Sequence, residues 1–263
     1  MTSEKAVRLL AESLKKHKYP ANYLDMLLEF VGIDFVSVDN SELLPDQHAT
    51  LSHTLWQLSR DVPVEYITGK AEFYGLEFAV DSRVLIPRPF TEEVVATVLS
   101  ERIKFDSGVT IVDIATGSGA IILATAATLK KEFPKLFKKT QFIATDISSG
   151  ALEVAKSNAK KLKLDKNIQF FEADTFPMED TALLGTFAQR VIIVSNPPYI
   201  YPQEYAKLAP SVRLYEPELA LVRNESVFMK IEDFGGILRA TGHIVTTILE
   251  DGKAGKAFIR VEN

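Results

Sequence analysis

The chain has 263 residues, 46% of them hydrophobic and 25% charged, with a formal net charge of −5. That is enough apolar material for one full α/β core plus a smaller appendage, and the acidic balance argues against an unassisted grip on nucleic acid backbones. The lack of cysteine excludes disulfides, thiolate zinc sites and cysteine nucleophiles.

In chain order, residues 3–17 place Val7, Leu10, Ala11 and Leu14 at helical spacing. Residues 22–31 do the same through Leu24, Leu27, Leu28 and Val31, and residues 48–59 through Leu51, Leu55 and Leu58. These stripes predict a small helical domain over 1–69, punctuated by Pro45 and Pro63. From Lys70 to Leu85 the apolar residues Phe73, Leu76, Phe78, Val80 and Val84 alternate, which predicts a β-hairpin linker within 70–89. A helix from Thr91 to Ile103 should then open the third region, 90–263, with Thr91 as N-cap and Glu92-Glu93 suited to the first turn.

Strands and helices alternate from Thr110 onward, the pattern of a parallel, doubly wound sheet. Strands are expected at Thr110–Ile114, Gln141–Thr145, Ile168–Phe171, Val191–Val194 and His243–Leu249, with a helix beginning at Ala120. Too few residues follow Leu249 for a helix and a closing strand pair, so the C-terminal edge should be abbreviated, with Lys256–Val261 supplying one edge strand. The basic clusters Lys15–Lys18, Lys130-Lys131 and Lys138-Lys139 read as solvated helix ends. Of the four histidines, at 17, 48, 53 and 243, only His48 and His53 come near metal-ligand spacing, and five apart they do not share a helix face at i,i+4, so no metal is expected. With no apolar run of 18 residues and no signal-type block at the start, the expected location is cytoplasmic, away from membranes.

Four strand ends carry chemistry. After Asp113 and Ile114, the turn Ala115-Thr116-Gly117-Ser118-Gly119 leads into a helix, so its glycines permit close ligand approach and the helix offers free N–H groups. Ile122 stands where a dinucleotide fingerprint needs a third glycine, and no Gly-Lys-Ser/Thr follows. A ligand with an adenosine and a carboxylate but no phosphate, S-adenosylmethionine, suits this turn better. Asp146, ending the second strand, would accept from ribose hydroxyls. Asp174, after the third strand and followed by Thr175, would accept from the adenine amino group. The fourth strand end is Ser195-Asn196-Pro197-Pro198-Tyr199-Ile200. Its prolines stop the strand and stiffen the turn. The Asn196 side chain and the Pro197 carbonyl then accept the two protons of a planar NH2 group while the Tyr199 ring covers its face. That group is an amide or the exocyclic amine of a base.

The segments Arg83–Glu93, Ala115–Ile121 and Ser195–Ile200, in this order, resemble release factor glutamine methyltransferases, as do Pro63–Gly69, Glu72–Leu76 and Val212–Leu221. The resemblance runs from about Asp61 to Leu221. It implies a Rossmann-like class I methyltransferase domain that moves a methyl group from S-adenosylmethionine, leaving S-adenosylhomocysteine. The acceptor would be the Gln side-chain amide of the Gly-Gly-Gln loop of peptide chain release factors, held in part by the helical domain. Arg88, between Pro87 and Pro89, would serve the acceptor side as an ion-pair partner for a strand-end acid. A ribosomal protein Gln, a nucleobase amine, or a fold that has lost its activity are the alternatives. The chain departs from the family at several places: Phe90 replaces the usual Glu, Thr175 the usual aromatic residue and Ala115 the usual Gly, and the stretch from Val222 to Glu232 lacks the usual glycines, although Gly235-Gly236 follows shortly after. Ala115 is tolerable in place of the family's glycine if its φ is negative.

Overall fold

The structure, a computed structural model, describes residues 1–34, 38–101, 108–177, 181–253 and 256–262. It forms two compact units, Met1–Lys70 with Ala209–Tyr215, and Ala71–Leu208 with Glu216–Asn263.

The first unit contains α1 (Ser3–Lys16), α2 (Tyr23–Val31), α3 (Pro45–Leu58) and α4 (Val64–Thr68). Their stripes converge on a core of Ala6, Leu10, Leu14, Leu27, Leu28, Val31, Leu51 and Leu58. On α1 the buried face is centred on Ala6 rather than Val7, which lies partly buried at its margin. The later helix Pro210–Tyr215 also belongs to this unit, although the sequence pattern assigned that stretch elsewhere; there the Tyr215 hydroxyl donates to the Arg60 carbonyl at 2.7 Å.

The second unit begins with a two-stranded sheet, β1 (Lys70–Phe73) and β2 (Leu76–Ala79), which buries Phe73 and Phe78. There follow α5 (Glu92–Glu101), β3 (Val109–Ile114), α6 (Ala120–Glu132), α7 (Pro134–Phe137), β4 (Thr140–Asp146), α8 (Ser149–Lys161), β5 (Ile168–Glu172) and α9 (Thr181–Leu184). The chain continues through β6 (Arg190–Ser195), α10 (Pro202–Tyr205), α11 (Pro210–Tyr215), α12 (Glu218–Leu221), α13 (Glu225–Ala240), β7 (Ile244–Lys253) and β8 (Lys256–Glu262). The end of the helix expected to reach Ile103 lies outside the described residues.

The main sheet runs in the order β5-β4-β3-β6-β7-β8, parallel except for β8, which pairs antiparallel with β7. The single edge strand expected at the C-terminus is present, and it forms a hairpin with β7, which runs four residues beyond the predicted end at Leu249. Because both faces are covered, the strands lack polar alternation. Ile192 and Val194 of β6 join the core formed with α5 and α6, while Val191 and Ile193 join the core formed with α13. Successive side chains of one apolar strand therefore anchor opposite layers. The chain proceeds from β3 outward to β5, then returns to the other side of β3 at β6. The carboxyl ends of β3 and β6 thus form the switch point where ligands bind in such sheets.

Candidate active site

A cavity of about 590 Å³ opens at that switch point. Its wall gathers Ala115–Ser118 after β3, Asp146–Ser148 after β4, Ala173-Asp174 after β5, and Asn196 and Pro198 after β6. Pro87 and Thr91 line one side, and residues from Pro217 to Val227 another.

The turn after β3 alternates in handedness, with φ of 56° at Ala115, 56° at Gly117 and 81° at Gly119. The condition of a negative φ at Ala115 is therefore not met: the backbone at this residue is left-handed, and the methyl group of Ala115 is carried there at a steric cost. Gly117 leaves its Cα side open, with nothing within 4 Å of where a Cβ would stand. Gly119, the N-cap of α6, has no such room, since a Cβ would meet Leu123 Cδ1 at 2.9 Å and Ala155 Cβ at 3.3 Å. It lies behind the wall and lets α6 approach α8.

Three acids hold this region. Asp113 is fully buried on β3 and accepts from the Thr116 hydroxyl at 2.7 Å. Burial pushes its pKa up to about 7, against the pull of the Thr116 hydroxyl and the Ile122 amide. Asp146 accepts from the Gly117 amide at 2.8 Å and the Ser148 amide at 2.9 Å. Burial raises its pKa too, opposed by these amides. The carboxylate thereby ties the turn after β3 to the end of β4 while keeping unused lone pairs toward the cavity. Asp174 faces the cavity in a half-exposed ion pair with Lys230 of α13. Thr175 does not join the cavity wall; it is buried, its carbonyl accepting from the Thr145 hydroxyl.

Residues at the end of β6 are joined to Thr91 and Glu250 by a polar network that the sequence pattern missed. The Asn196 side chain donates from Nδ2 to Thr91 Oγ1 at 3.2 Å, and Thr91 donates to Glu250 Oε2 at 2.6 Å. Tyr199 donates its hydroxyl to Glu250 Oε1 at 2.9 Å. Glu250 lies on β7 and is fully buried; burial raises its pKa, while the Thr91 and Tyr199 hydrogen bonds and the charge of Arg88 oppose the rise. Burial, and then the charge of Glu250, likewise raise the pKa of Tyr199.

Thr91 is consequently not the helix cap expected of it. It ends a 3-10 turn, Pro89–Thr91, and its hydroxyl is spent between Asn196 and Glu250. Arg88 pairs not with a strand-end acid but with Glu216, which follows α11 and also accepts from the Ile86 amide at 3.2 Å. Asn196 and Pro198 line the cavity, whereas the side chains of Pro197, Tyr199 and Arg88 do not. Tyr199 packs against the core beneath α13, so its ring backs the site instead of lying open over it. Asn158 of α8 also escaped notice. It is buried, exchanges hydrogen bonds with both backbone groups of Ala79 and donates to the Ser118 carbonyl at 2.9 Å, bracing the cofactor-side turn from behind. A polar residue on the buried face of a helical pattern was the available signal.

Residues 105–191 match a family model described as a methyltransferase domain. A release factor glutamine methyltransferase of Streptococcus pneumoniae is 36% identical over 222 residues, covering 82% of this chain and 72% of that protein. That of Bacillus subtilis is 47% identical over 163 residues, 61% of this chain and 52% of the relative. That of Chlorobaculum tepidum is 44% identical over 170 residues, also spanning 52% of the relative. Among solved structures, the hMettl16 catalytic domain in complex with a MAT2A 3'UTR hairpin shares the fold, with a TM-score of 0.51 at 15% identity over 89% of this chain and 79% of that one.

Proposed function

Since the chain belongs to the release factor glutamine methyltransferase family, we propose that it transfers a methyl group from S-adenosylmethionine to the side-chain amide nitrogen of the Gly-Gly-Gln glutamine of a peptide chain release factor. The observation that carries this reading is the shared cavity. Asn196, at the end of β6, opens onto the same space as the left-handed turn at the end of the adjacent strand β3.

The residues present fit the cofactor. A cavity of about 590 Å³ lies within the range of small-molecule sites. Asp146 offers acceptor lone pairs at its rim, and the open Cα face of Gly117 admits a ligand against the backbone. Thr116, Gly117 and Ser118 would hold its amino acid part, Asp146 the ribose and Asp174 the adenine edge, with Asp113 and Gly119 fixing the turn from behind. S-adenosylmethionine, when bound, supplies an electrophilic methyl group.

An amide nitrogen is a poor nucleophile because its lone pair is delocalised into the carbonyl. Position therefore matters more than a strong base. Asn196 Oδ1 and the Pro197 carbonyl accept the two N–H groups of the glutamine amide and favour positive charge as it develops on that nitrogen, which loses one proton after the methyl group has arrived. Pro197 and Pro198 keep both acceptors from drifting. Tyr199 and Arg88 support this wall through Glu250 and Glu216. No described helix is long and apolar enough to cross a membrane.

Incubation with radiolabelled S-adenosylmethionine tests the proposal. A release factor should be labelled, and changing its Gly-Gly-Gln glutamine should remove the label. Duplex DNA should stay unlabelled, because a chain of net charge −5 lacks the phosphate contacts that dominate non-specific affinity. Labelled DNA beside an unlabelled release factor would transfer the assignment to a nucleobase amine.

A further inference from the structure

We infer that Glu250, acting through the Thr91 hydroxyl, sets which end of the Asn196 amide faces the acceptor, making Thr91 and Glu250 positioning residues for the transfer. The inference rests on the function proposed above for the same cavity.

The argument is one of hydrogen-bond direction. Thr91 Oγ1 carries a single proton, and it lies 2.6 Å from Glu250 Oε2. With Glu250 ionised, the state that its two hydroxyl donors and the charge of Arg88 favour against burial, the carboxylate only accepts and the Thr91 proton goes to it. The hydroxyl oxygen is then left as an acceptor, and only the NH2 end of Asn196, at 3.2 Å, can use it. Committing Nδ2 to Thr91 leaves Oδ1 for the cavity, where an amide nitrogen with two protons needs an acceptor. Glu250 itself is held in place, since its other oxygen takes the Tyr199 hydroxyl at 2.9 Å. Its charge faces Arg88, and Glu93 of α5 supplies the opposing carboxylate.

An asparagine at such a position is ambiguous on its own, because its two ends have the same shape and opposite hydrogen-bonding character. Were Thr91 free to donate toward Asn196, the amide would turn and present NH2 to NH2. Glu250 therefore encodes the acceptor character of Asn196 from two residues away. Its burial makes the instruction strong, since an unpaired carboxylate there would be costly.

The test uses the full chain with Thr91→Val, Thr91→Ser and Glu250→Gln. Val keeps the shape of Thr without a hydroxyl, Ser keeps the hydroxyl, and Gln can donate to Thr91 and so release its proton toward Asn196. With a release factor as acceptor, kcat should fall about 10- to 100-fold in Thr91→Val and Glu250→Gln. The Kd for S-adenosylmethionine should stay within about twofold, and Thr91→Ser should recover most of the rate. Wild-type kcat in Thr91→Val, or equal damage in Thr91→Ser, would overturn the inference.

A readout independent of turnover separates this idea from the function it rests on. In 15N-edited NMR, the Asn196 side-chain NH2, assigned by its disappearance in Asn196→Asp, should show one exchange-protected proton in the wild type and none in Thr91→Val. A fully exchanging pair in the wild type sinks the network whatever the substrate. An unlabelled release factor alongside the protected proton would instead refute only the proposed acceptor.

Discussion

Arg88 and Glu216 are 128 positions apart in sequence, yet they form an ion pair in which the Glu216 side chain is 1% exposed and the Arg88 side chain 33%. Glu216 also receives the Ile86 amide, so a single acid pins both sides of the rigid Pro87 segment that leads into the cavity wall.

Removing the cation that faces this buried carboxylate should be expensive. Arg88→Met is expected to destabilise the protein by about 3 kcal/mol at neutral pH, with Arg88→Met/Glu216→Gln recovering much of the loss because no charge then remains buried. Denaturant unfolding of the two variants decides it. A cost under about 1 kcal/mol for the single change would show that the pair behaves as a surface contact.

Asp113 predicts the pH dependence of stability. Its folded pKa, about 7, lies above the ordinary 3.8, so the folded state binds this proton more tightly than the unfolded chain. The resulting stabilisation is present in full below the unfolded value and is lost as pH rises through about 7. Between those limits, Asp113→Asn should flatten the fall in unfolding free energy of the ligand-free protein. Parallel wild-type and variant slopes, measured by denaturant titration at several pH values, would refute the assignment.

Ala115 carries its methyl group at φ 56°. A left-handed conformation costs an L-residue about 1–2 kcal/mol, partly offset by the greater unfolded freedom of glycine. Ala115→Gly should therefore stabilise the protein by about 0.5–1 kcal/mol and raise its Tm, whereas Ala115→Val should lower it. An unchanged or reduced Tm in the glycine variant would mean that the turn relaxes without strain.

Asp146 holds two backbone amides as well as offering itself to a ribose. Asp146→Ala should weaken S-adenosylmethionine binding by about 1.5–3 kcal/mol, or one to two decades, and also lower Tm in the absence of ligand. Calorimetric titration reads the first effect and thermal unfolding the second. Unchanged affinity would place the ribose elsewhere.

Asn196→Ala should abolish transfer while leaving cofactor affinity nearly intact, because the side chain is tied to Thr91 and opens on the acceptor side. Filter-binding of labelled release factor, paired with calorimetry, checks both halves. Near-normal turnover would remove Asn196 from the site.

The main sheet was legible because its strands are short apolar runs bounded by turn signals, and their positions fall within a residue or two of β3, β4, β5 and β6. Helix α13 was not: Gly235-Gly236 sits in its interior and breaks the propensity that would reveal it. Its close approach to β6, with Ile193 Cδ1 3.7 Å from where a Gly235 Cβ would stand, gives the first of those glycines a packing reason. At the site, residues beside a motif could be read, since Asn196, Asp146 and the turn after β3 end successive strands. Glu216 and Glu250 could not, because nothing local distinguishes them from solvated acids; only the fold brings them against Arg88 and Thr91. Handedness at Ala115 was likewise invisible, since alanine ordinarily signals negative φ.

The parallel pairing of β3 with β6 sets Ile114 opposite Ser195, and the Ser195 hydroxyl bonds the Ile114 carbonyl at 2.6 Å. The turn that would hold the donor and the turn that would hold the acceptor each begin on the next residue. Their separation is thus one rung of a hydrogen-bond ladder, about 4.8 Å between strands. A ladder rung is among the least compliant lengths in a protein, lying in the region that opens only on global unfolding. Loops around the cavity can drift in sequence and admit different acceptor surfaces while this ruler stays fixed. Evolution of partner choice and preservation of reaction distance are thereby assigned to separate parts of the chain.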